Sequence, residues 1–412
     1  MDERTSVVII GGGQAGLAVS YNLRQREIEH IILERGRLGE TWRSKRWDSF
    51  TLVTPASLIL LPGFPDIGGD PNRFLSRDEF VNYLERYASS FDAPLRCGMR
   101  VTALERKLTG EFVLRLDNGA LEAKVLVVAT GGYHSPQKPS FIGVLPTDVL
   151  QLNPEQYRNP NQIPVGAILV VGSGQSGAQI AEELHQAGRR VFLSVGRAGR
   201  WPRRYRGKDV NVWLMEMDQR TIDMMPEPKP RFDSNPHLTG RDGGREINLR
   251  HLGRQGVTLL GRMCGIEGSN LRFEDDLEEN LLKADHRVVR VKQEVDRFIE
   301  RRGLRVPEEI SDGDIAPGEG TPPESILELE LRREGINTVI WATGYRLDFS
   351  WIKLPVFDET GFPLHSRGVT SEEGLYFIGL PWLYRATSSG LIGVGEDAAY
   401  IADHIAADER DQ

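Results

Sequence analysis

Ser6-Val7-Val8-Ile9-Ile10-Gly11-Gly12-Gly13-Gln14-Ala15-Gly16-Leu17 is the stretch that decides the fold. Ser6 to Ile10 reads as a short buried parallel strand, the glycines as a turn, and Leu17 to Arg24 as a helix. Gly11 permits the tight turn, Gly13 lets a pyrophosphate approach the main chain, and Gly16 lets the helix pack on the strand. The helix N-terminus adds amides and partial positive charge. A second strand, Ile31-Ile32-Leu33, ends in Glu34, 18 residues beyond Gly16 and close to where a ribose 2′-hydroxyl needs an acceptor. Strand, turn, helix and acid together predict an α/β unit that holds a dinucleotide.

The same unit recurs. Ala167 to Val171 is another five-residue apolar strand, followed by Gly172-Ser173-Gly174-Gln175-Ser176-Gly177 and a helical run from Ala178 to Ala187. Two such turns predict two bound nucleotides. The next strand, Val191-Phe192-Leu193, ends in Ser194-Val195-Gly196-Arg197, where an NAD site would carry Asp or Glu. A carboxylate would repel a 2′-phosphate and a guanidinium pairs with one, so Ser194 and Arg197 favour NADPH over NADH and leave NADH open. Arg200, Arg203, Arg204 and Arg206 read either as further phosphate contacts or as a solvated surface cluster.

Composition narrows the class. The 412 residues suffice for two or three domains of ordinary size, and 39% hydrophobic with 27% charged residues excludes wholesale disorder, collagen and coiled-coil rods. The net charge of −8 would repel a phosphate backbone at long range, so no nucleic-acid partner is expected. Cys97 and Cys264 stand more than 160 residues apart with no Cys or His at metal-ligand spacing, so neither a metal site nor a CxxC redox pair is expected. The apolar run after Met1-Asp2-Glu3-Arg4 stops at Gly11, too short for a signal peptide, and no stretch approaches the ~20 apolar residues of a membrane helix. A cytoplasmic protein with no membrane span is the expectation.

Further motifs extend the pattern. Gly39-Glu40-Thr41-Trp42-Arg43 follows the first acid-bearing strand, and Val125 to Val128 form a buried strand ending in Ala129-Thr130-Gly131-Gly132-Tyr133. Val339-Ile340-Trp341-Ala342-Thr343-Gly344-Tyr345 repeats that ending. Leu375-Tyr376-Phe377-Ile378-Gly379 and Gly390-Leu391-Ile392-Gly393-Val394-Gly395-Glu396-Asp397 close the chain. In order, and over nearly the whole length, these resemble the two-dinucleotide-binding-domain flavoproteins. Within them the chain resembles the flavin-containing monooxygenase-like group, in a bacterial branch of NAD(P)/FAD-dependent oxidoreductases.

The resemblance implies an α/β fold with two Rossmann-like dinucleotide-binding domains, FAD in the first turn and NADPH in the second. It implies FAD contacts at Gly11, Gly13, Gln14, Ala15, Gly16, Glu34, Arg35, Gly39, Thr41, Trp42, Trp47, Leu52, Val101, Ala129, Thr130, Gly131, Gly379, Gly390 and Leu391. It implies NADPH contacts at Gly172, Gly174, Gln175, Ser176, Gly177, Ser194, Arg197, Ala342, Thr343 and Gly344. Between the two turns the family carries Phe-x-Gly, then His, then Tyr or Phe. Phe141-Ile142-Gly143 and Tyr157-Arg158-Asn159-Pro160 match, with Asn153 where the His would align. Where many members place Asn before Ser or Thr at the flavin, this chain has Leu52-Val53-Thr54-Pro55. Thr54, Asn153 and Arg385 are the candidate catalytic residues.

The FAD domain is expected to be discontinuous, residues 1–160 and 345–412, because the last Gly-rich turn and helix are needed beside the first cradle. The NADPH domain is then 161–344, with a helical insertion at about 200–325. Asp275 to Arg302 reads as a long helix in which Leu277, Leu281, Ala284, Val288, Val291, Val295 and Phe298 are spaced alternately four and three. That seam packs either on its own domain or antiparallel across the two-fold axis of a homodimer. Residues 305–325, rich in Pro, Gly, Glu and Asp, read as a long loop.

In such a protein NADPH reduces the flavin, and with no redox-cysteine motif the electrons leave directly from the ring, with O2 as the expected acceptor. The reading is an FAD-dependent, NADPH-consuming monooxygenase that transfers one oxygen atom from a C4a-(hydro)peroxyflavin to a small organic substrate. Nitrogen or sulfur is the favoured target, because the longer Baeyer–Villiger fingerprint ending in Trp-Pro is missing at Tyr157-Arg158. The alternatives are an FAD/NAD(P)H oxidoreductase or NADPH oxidase that inserts no oxygen, and a redox-sensing flavoprotein. Trp42, Trp47, Trp351, Trp382 and Tyr384 are candidates to keep the flavin dry, and Arg385, Ser388 and Ser389 to contact nicotinamide or peroxide. His134 reads as a surface or satisfied histidine and Asp397 as a helix-dipole charge.

Overall fold

The computed structural model describes residues 3–64, 67–217, 220–226, 235–309 and 325–410. One sheet is built from β1 (Glu3–Ile10), β2 (His30–Glu34), β3 (Leu95–Cys97), β4 (Val101–Arg106), β5 (Phe112–Leu116) and β6 (Gly119–Val128), in the order β3-β2-β1-β6-β5-β4. The first four strands of that order run parallel, and β4, β5 and β6 form an antiparallel meander. About 250 residues later Leu375–Phe377 comes back to pair in parallel with Leu126–Val128 of β6, so the two ends of the chain share one sheet.

The helices are α1 (Gln14–Arg24), α2 (Glu40–Ser44), α3 (Arg77–Ser90), α4 (Gln175–Gln186), α5 (Val210–Met217), α6 (Leu249–Gln255), α7 (Leu277–Arg302) and α8 (Val394–Arg410). The second half of β1, Val7 to Ile10, is apolar without alternation because both of its faces are covered. Val7 and Ile9 pack in the cluster with α1, α3 and α8, whereas Val8 and Ile10 pack with Leu104, Phe112 and Phe377 on the other side. Helix α3 starts on a capping box: the Ser76 hydroxyl accepts from the Glu79 amide and the Glu79 carboxylate from the Ser76 amide. That anchors Phe80, against which Trp42 of α2 packs edge-on at 4.8 Å.

The second sheet is parallel throughout. Its strands run Thr258–Leu260, Val191–Ser194, Ala167–Val171, Ile336–Trp341 and Leu150–Leu152 across the sheet. Leu150–Leu152 pairs here although it precedes residue 160. Met263–Glu267, Asn270–Phe273 and Glu328–Glu330 add a small antiparallel sheet.

Helix α7 begins two residues later than the sequence suggested and ends at Gly303, which takes the left-handed φ of +60°. Its apolar seam is buried against its own chain: Leu277 and Leu281 join the core of the second sheet, Val291 packs with Val210 and Leu238, and Val295 with Trp213. Pairing of this seam across a two-fold axis is thereby corrected, because its apolar area is already covered within one molecule. Buried ion pairs hold the helix in place: Arg200 reaches Asp285 at 2.8 Å, and Arg250 reaches Asp285 at 2.9 Å and Glu278 at 2.8 Å. Of the expected loop 305–325, residues 310–324 lie outside the described residues. Among the described residues no helix is long and apolar enough to cross a membrane, and no group of three or more His, Cys, Asp or Glu could hold a metal ion.

Candidate functional site

The two glycine turns share one logic. Gly11 adopts φ +113°, and a Cβ there would lie 2.6 Å from the Ala129 carbonyl oxygen; one on Gly16 would lie 2.0 Å from the Gly11 carbonyl oxygen. In the second turn Gly172 has φ +98° and a Cβ would lie 2.5 Å from the Ala342 carbonyl oxygen, while one on Gly177 would lie 1.9 Å from that of Gly172. The outer glycines of each turn are therefore demanded by the protein's own backbone. A Cβ on Gly13 or Gly174 would meet no protein atom within 4 Å. These middle positions are the ones a bound pyrophosphate would approach, so the residues present fit a dinucleotide at each turn.

The first turn and the start of α4, just after the second turn, open on a single cleft of about 1330 Å³. Gly11, Gly13, Gln14, Ala15, Glu34, Arg35, Gly39, Thr41, Trp42, Trp47, Leu52, Thr54 and Val101 line it, together with Ala129, Thr130, Gly131, Gly379, Gly390 and Leu391. From the second unit Gln175, Ser176 and Arg197 line the same space. Gly16, Gly172, Gly174, Gly177, Ala342, Thr343 and Gly344 lie outside its wall, although Tyr345 is in it. Trp351, Trp382 and Ser389 line the cleft as well; Tyr384 instead lies under the Arg367 guanidinium at 3.9 Å, and the buried Ser388 hydroxyl accepts the Tyr384 and Arg385 amides. The Glu34 carboxylate is aimed by two main-chain donors, Gly12 at 2.8 Å and Gly36 at 2.9 Å, leaving lone pairs free toward the cleft.

Several of the expected residues are engaged by the protein's own groups. Ser194 is 2% exposed, and its hydroxyl donates to the Gly261 carbonyl and accepts the Met263 amide, both at 3.0 Å, so it is committed to the interior. Asn153 lies outside the cleft wall and caps a turn, its side chain accepting the Glu155 amide at 3.0 Å. Arg385 is likewise outside the wall and pairs with Glu396 at 3.3 Å. The arginines after Arg197 are engaged by the protein itself, Arg200 and Arg203 in the interior and Arg204 and Arg206 at the surface. Arg200 and Arg203 are buried in ion pairs, with Arg203 gripping Asp209 through two nitrogens at 2.6 and 2.8 Å; Arg204 bonds the Gly243 and Gly244 carbonyls; Arg206 pairs with Asp296. Asp397 stands in the first turn of α8 as expected, buried beside Arg367, and burial pushes its carboxyl above the usual range.

Other wall residues escaped sequence reasoning. The Arg46 guanidinium sits 5.3, 5.7 and 5.8 Å from the rings of Trp42, Phe50 and Tyr133, a cation held among aromatic faces from separate segments. His134 lines the cleft with partners on both ring nitrogens. The Asp348 amide donates to Nδ1 at 2.9 Å, which leaves the proton on Nε2, 3.1 Å from the Thr130 hydroxyl, and burial holds the ring's pKa below the ordinary value. The Val53 carbonyl accepts from Arg203 Nη1 and Asn211 Nδ2, both at 3.0 Å, so the peptide that carries Thr54 is fixed from 150 residues downstream. One face of α7, with Lys283, His286, Arg287 and Arg290, forms the far wall.

Known proteins agree with this architecture. The profile of the pyridine nucleotide-disulphide oxidoreductases matches residues 8–228. A Geobacillus kaustophilus protein described as "Uncharacterized oxidoreductase CzcO-like" is 33% identical over 408 residues, 98% of this chain and 99% of its own. The indole-3-pyruvate monooxygenase YUCCA1 of Oryza sativa subsp. japonica is 28% identical over 422 residues, 97% of this chain and 90% of its own. Among solved structures, the flavin-containing monooxygenase from Stenotrophomonas maltophilia superposes with a TM-score of 0.65 at 20% identity, covering 99% of each chain. The chain belongs to the pyridine nucleotide-disulphide oxidoreductase family and, within it, to the flavin-containing monooxygenase-like group.

Proposed function

We propose that the protein is an FAD-dependent, NADPH-consuming monooxygenase that transfers one oxygen atom from O2 to the nitrogen or sulfur of a small organic substrate. The observation that carries this reading is that the first glycine turn and the start of α4, which follows the second, open on one cleft with no cysteine in its wall, Cys97 and Cys264 being free and exposed. A second dinucleotide can then meet the first directly, and no thiol pair lies in the wall to draw the electrons away. FAD, when bound, supplies hydride acceptance and the two-electron chemistry with oxygen.

The chain supplies the rest. The amides at the start of α1 hold the flavin-side pyrophosphate and the Glu34 carboxylate accepts from a ribose hydroxyl. Trp42 and Trp47 each pack on Phe50, tilted at 5.9 Å and edge-on at 5.1 Å, and exclude water from that end of the cleft. Thr54 offers its hydroxyl from the peptide fixed by Arg203 and Asn211. Gln175 and Ser176, at the start of α4, receive the second pyrophosphate, and Arg197 receives the 2′-phosphate. The relative described as an indole-3-pyruvate monooxygenase, matched over nearly the whole chain, supports oxygen insertion rather than simple electron transfer.

Rapid mixing of the NADPH-reduced holoprotein with labelled dioxygen tests the reading. The expected result is a lag before the oxidised flavin spectrum returns, and label in the product of an added sulfide or amine. Immediate return of that spectrum with stoichiometric hydrogen peroxide and no labelled product would refute it in favour of an oxidase.

A further inference from the structure

We infer that the 2′-phosphate of NADPH is gripped by a clamp of Arg197, Lys283 and Arg287, so that coenzyme choice is made by helix α7, more than a hundred residues beyond the second glycine turn; this rests on the NADPH reading above. The strand end that usually makes this choice cannot make it here, because the Ser194 hydroxyl is turned into the interior between Gly261 and Met263. The next residues, Val195 to Arg200, form a loop along which α7 is laid in fixed register. Asn280 Nδ2 donates to the Val195 carbonyl at 3.3 Å, Asp285 pairs with Arg200 at 2.8 Å, and the Arg287 stem crosses Gly199, where a Cβ would lie 3.2 Å from Arg287 Cγ. A side chain on Gly199 would press on that stem.

Residues 280 and 287 are thus fixed on either side of Gly196-Arg197-Ala198, and Lys283, three residues after the first and four before the second, shares their face. Burial follows the same division. Ala284, Asp285, Val288 and Val291 are buried on the inner side, whereas Lys283 and Arg287 are exposed to the cleft, as is Arg197 across from them. Among the described residues Arg197 and Arg287 have no ion-pair partner, and Lys283 pairs only with the exposed Glu279 one turn earlier on its own helix. Three exposed cations, two of them unpaired, line the same cleft, and a multiply charged anion between them would relieve their mutual repulsion. A phosphomonoester, with a charge near −2 and three acceptor oxygens, satisfies all three.

Calorimetric titration of the FAD-loaded protein with NADP+ and, separately, with NAD+ tests the clamp without recourse to turnover. The parent is expected to prefer NADP+. Arg287→Ala and Lys283→Ala should each weaken NADP+ binding by about tenfold or more, the loss of one charge-assisted contact, and change NAD+ binding by less than about twofold. Arg287→Lys should keep part of the preference. Both side chains are exposed, and the flavin spectrum with the thermal midpoint checks that each variant is folded. A parent that binds the two coenzymes equally overturns the NADPH reading and the clamp with it. A parent that prefers NADP+, with variants that keep the preference or weaken both coenzymes alike, overturns the clamp alone.

Discussion

Replacing Gly13 by alanine should separate flavin binding from folding. Gly13 has φ −81° and ψ −173°, a conformation open to any residue, and its added Cβ would meet no protein atom within 4 Å. Removing a glycine's freedom from the unfolded chain favours the variant by about 0.4–1 kcal/mol, and alanine's weaker preference for a helix N-cap opposes this by a similar amount. The stability of the flavin-free protein should therefore change by less than about 1 kcal/mol. The methyl nevertheless stands where a pyrophosphate must approach the α1 amides. Loss of one charge-assisted hydrogen bond there costs about 1.5–3 kcal/mol, which weakens FAD binding by about 10- to 150-fold. Titration of the flavin-free protein with FAD, followed by flavin fluorescence, measures the affinity, and thermal unfolding without FAD measures the stability. Gly16→Ala should do the reverse. Its Cβ would land 2.0 Å from a main-chain oxygen, and this overpacking should cost the flavin-free protein about 1–3 kcal/mol or more. If Gly13→Ala binds FAD within about twofold of the parent, the first turn is no pyrophosphate cradle.

Two further outcomes are expected. Arg203→Ala strands the buried Asp209 carboxylate and removes one donor from Val53, so it should lower stability by about 3–5 kcal/mol, while an Arg203→Leu and Asp209→Leu double variant should lose less than either single change. Equal or additive losses in urea unfolding would contradict this account. The His237 ring is fully buried, and burial pushes its pKa down from 6.5 to about 4. The unfolded chain then binds the extra proton between those values, so this contribution is complete above pH 6.5 and is lost as pH falls toward 4, amounting to about 3 kcal/mol. His30 and His134, also held below their usual values by burial, act in the same direction. Urea midpoints at several pH values should therefore fall less steeply with acidification in His237→Phe than in the parent, and parallel slopes would rule the histidine out.

What the sequence revealed were features settled within a short stretch of chain. Gly16 is fixed by the Gly11 carbonyl that the strand–turn–helix unit itself brings near, and the run Val7 to Ile10 announces a strand covered on both faces. The length of α7 was legible from its spacing, and its capping glycine follows directly. What stayed hidden depends on partners far along the chain. Ser194 is consumed by residues 67 and 69 positions later, and Arg200 by Asp285 at 85 positions, so nothing beside them distinguishes a structural arginine from a ligand-binding one. Arg46 is one of 51 basic residues, and only the folded chain gathers three rings around it.

The doubly bonded Val53 carbonyl bears on how the two halves of the molecule can move. Its two donors come from the segment that follows the second sheet's Ser194, and nearby the Ser49 hydroxyl donates to Glu183 of α4 at 2.5 Å. Swinging one half of the molecule away from the other would have to break this set together.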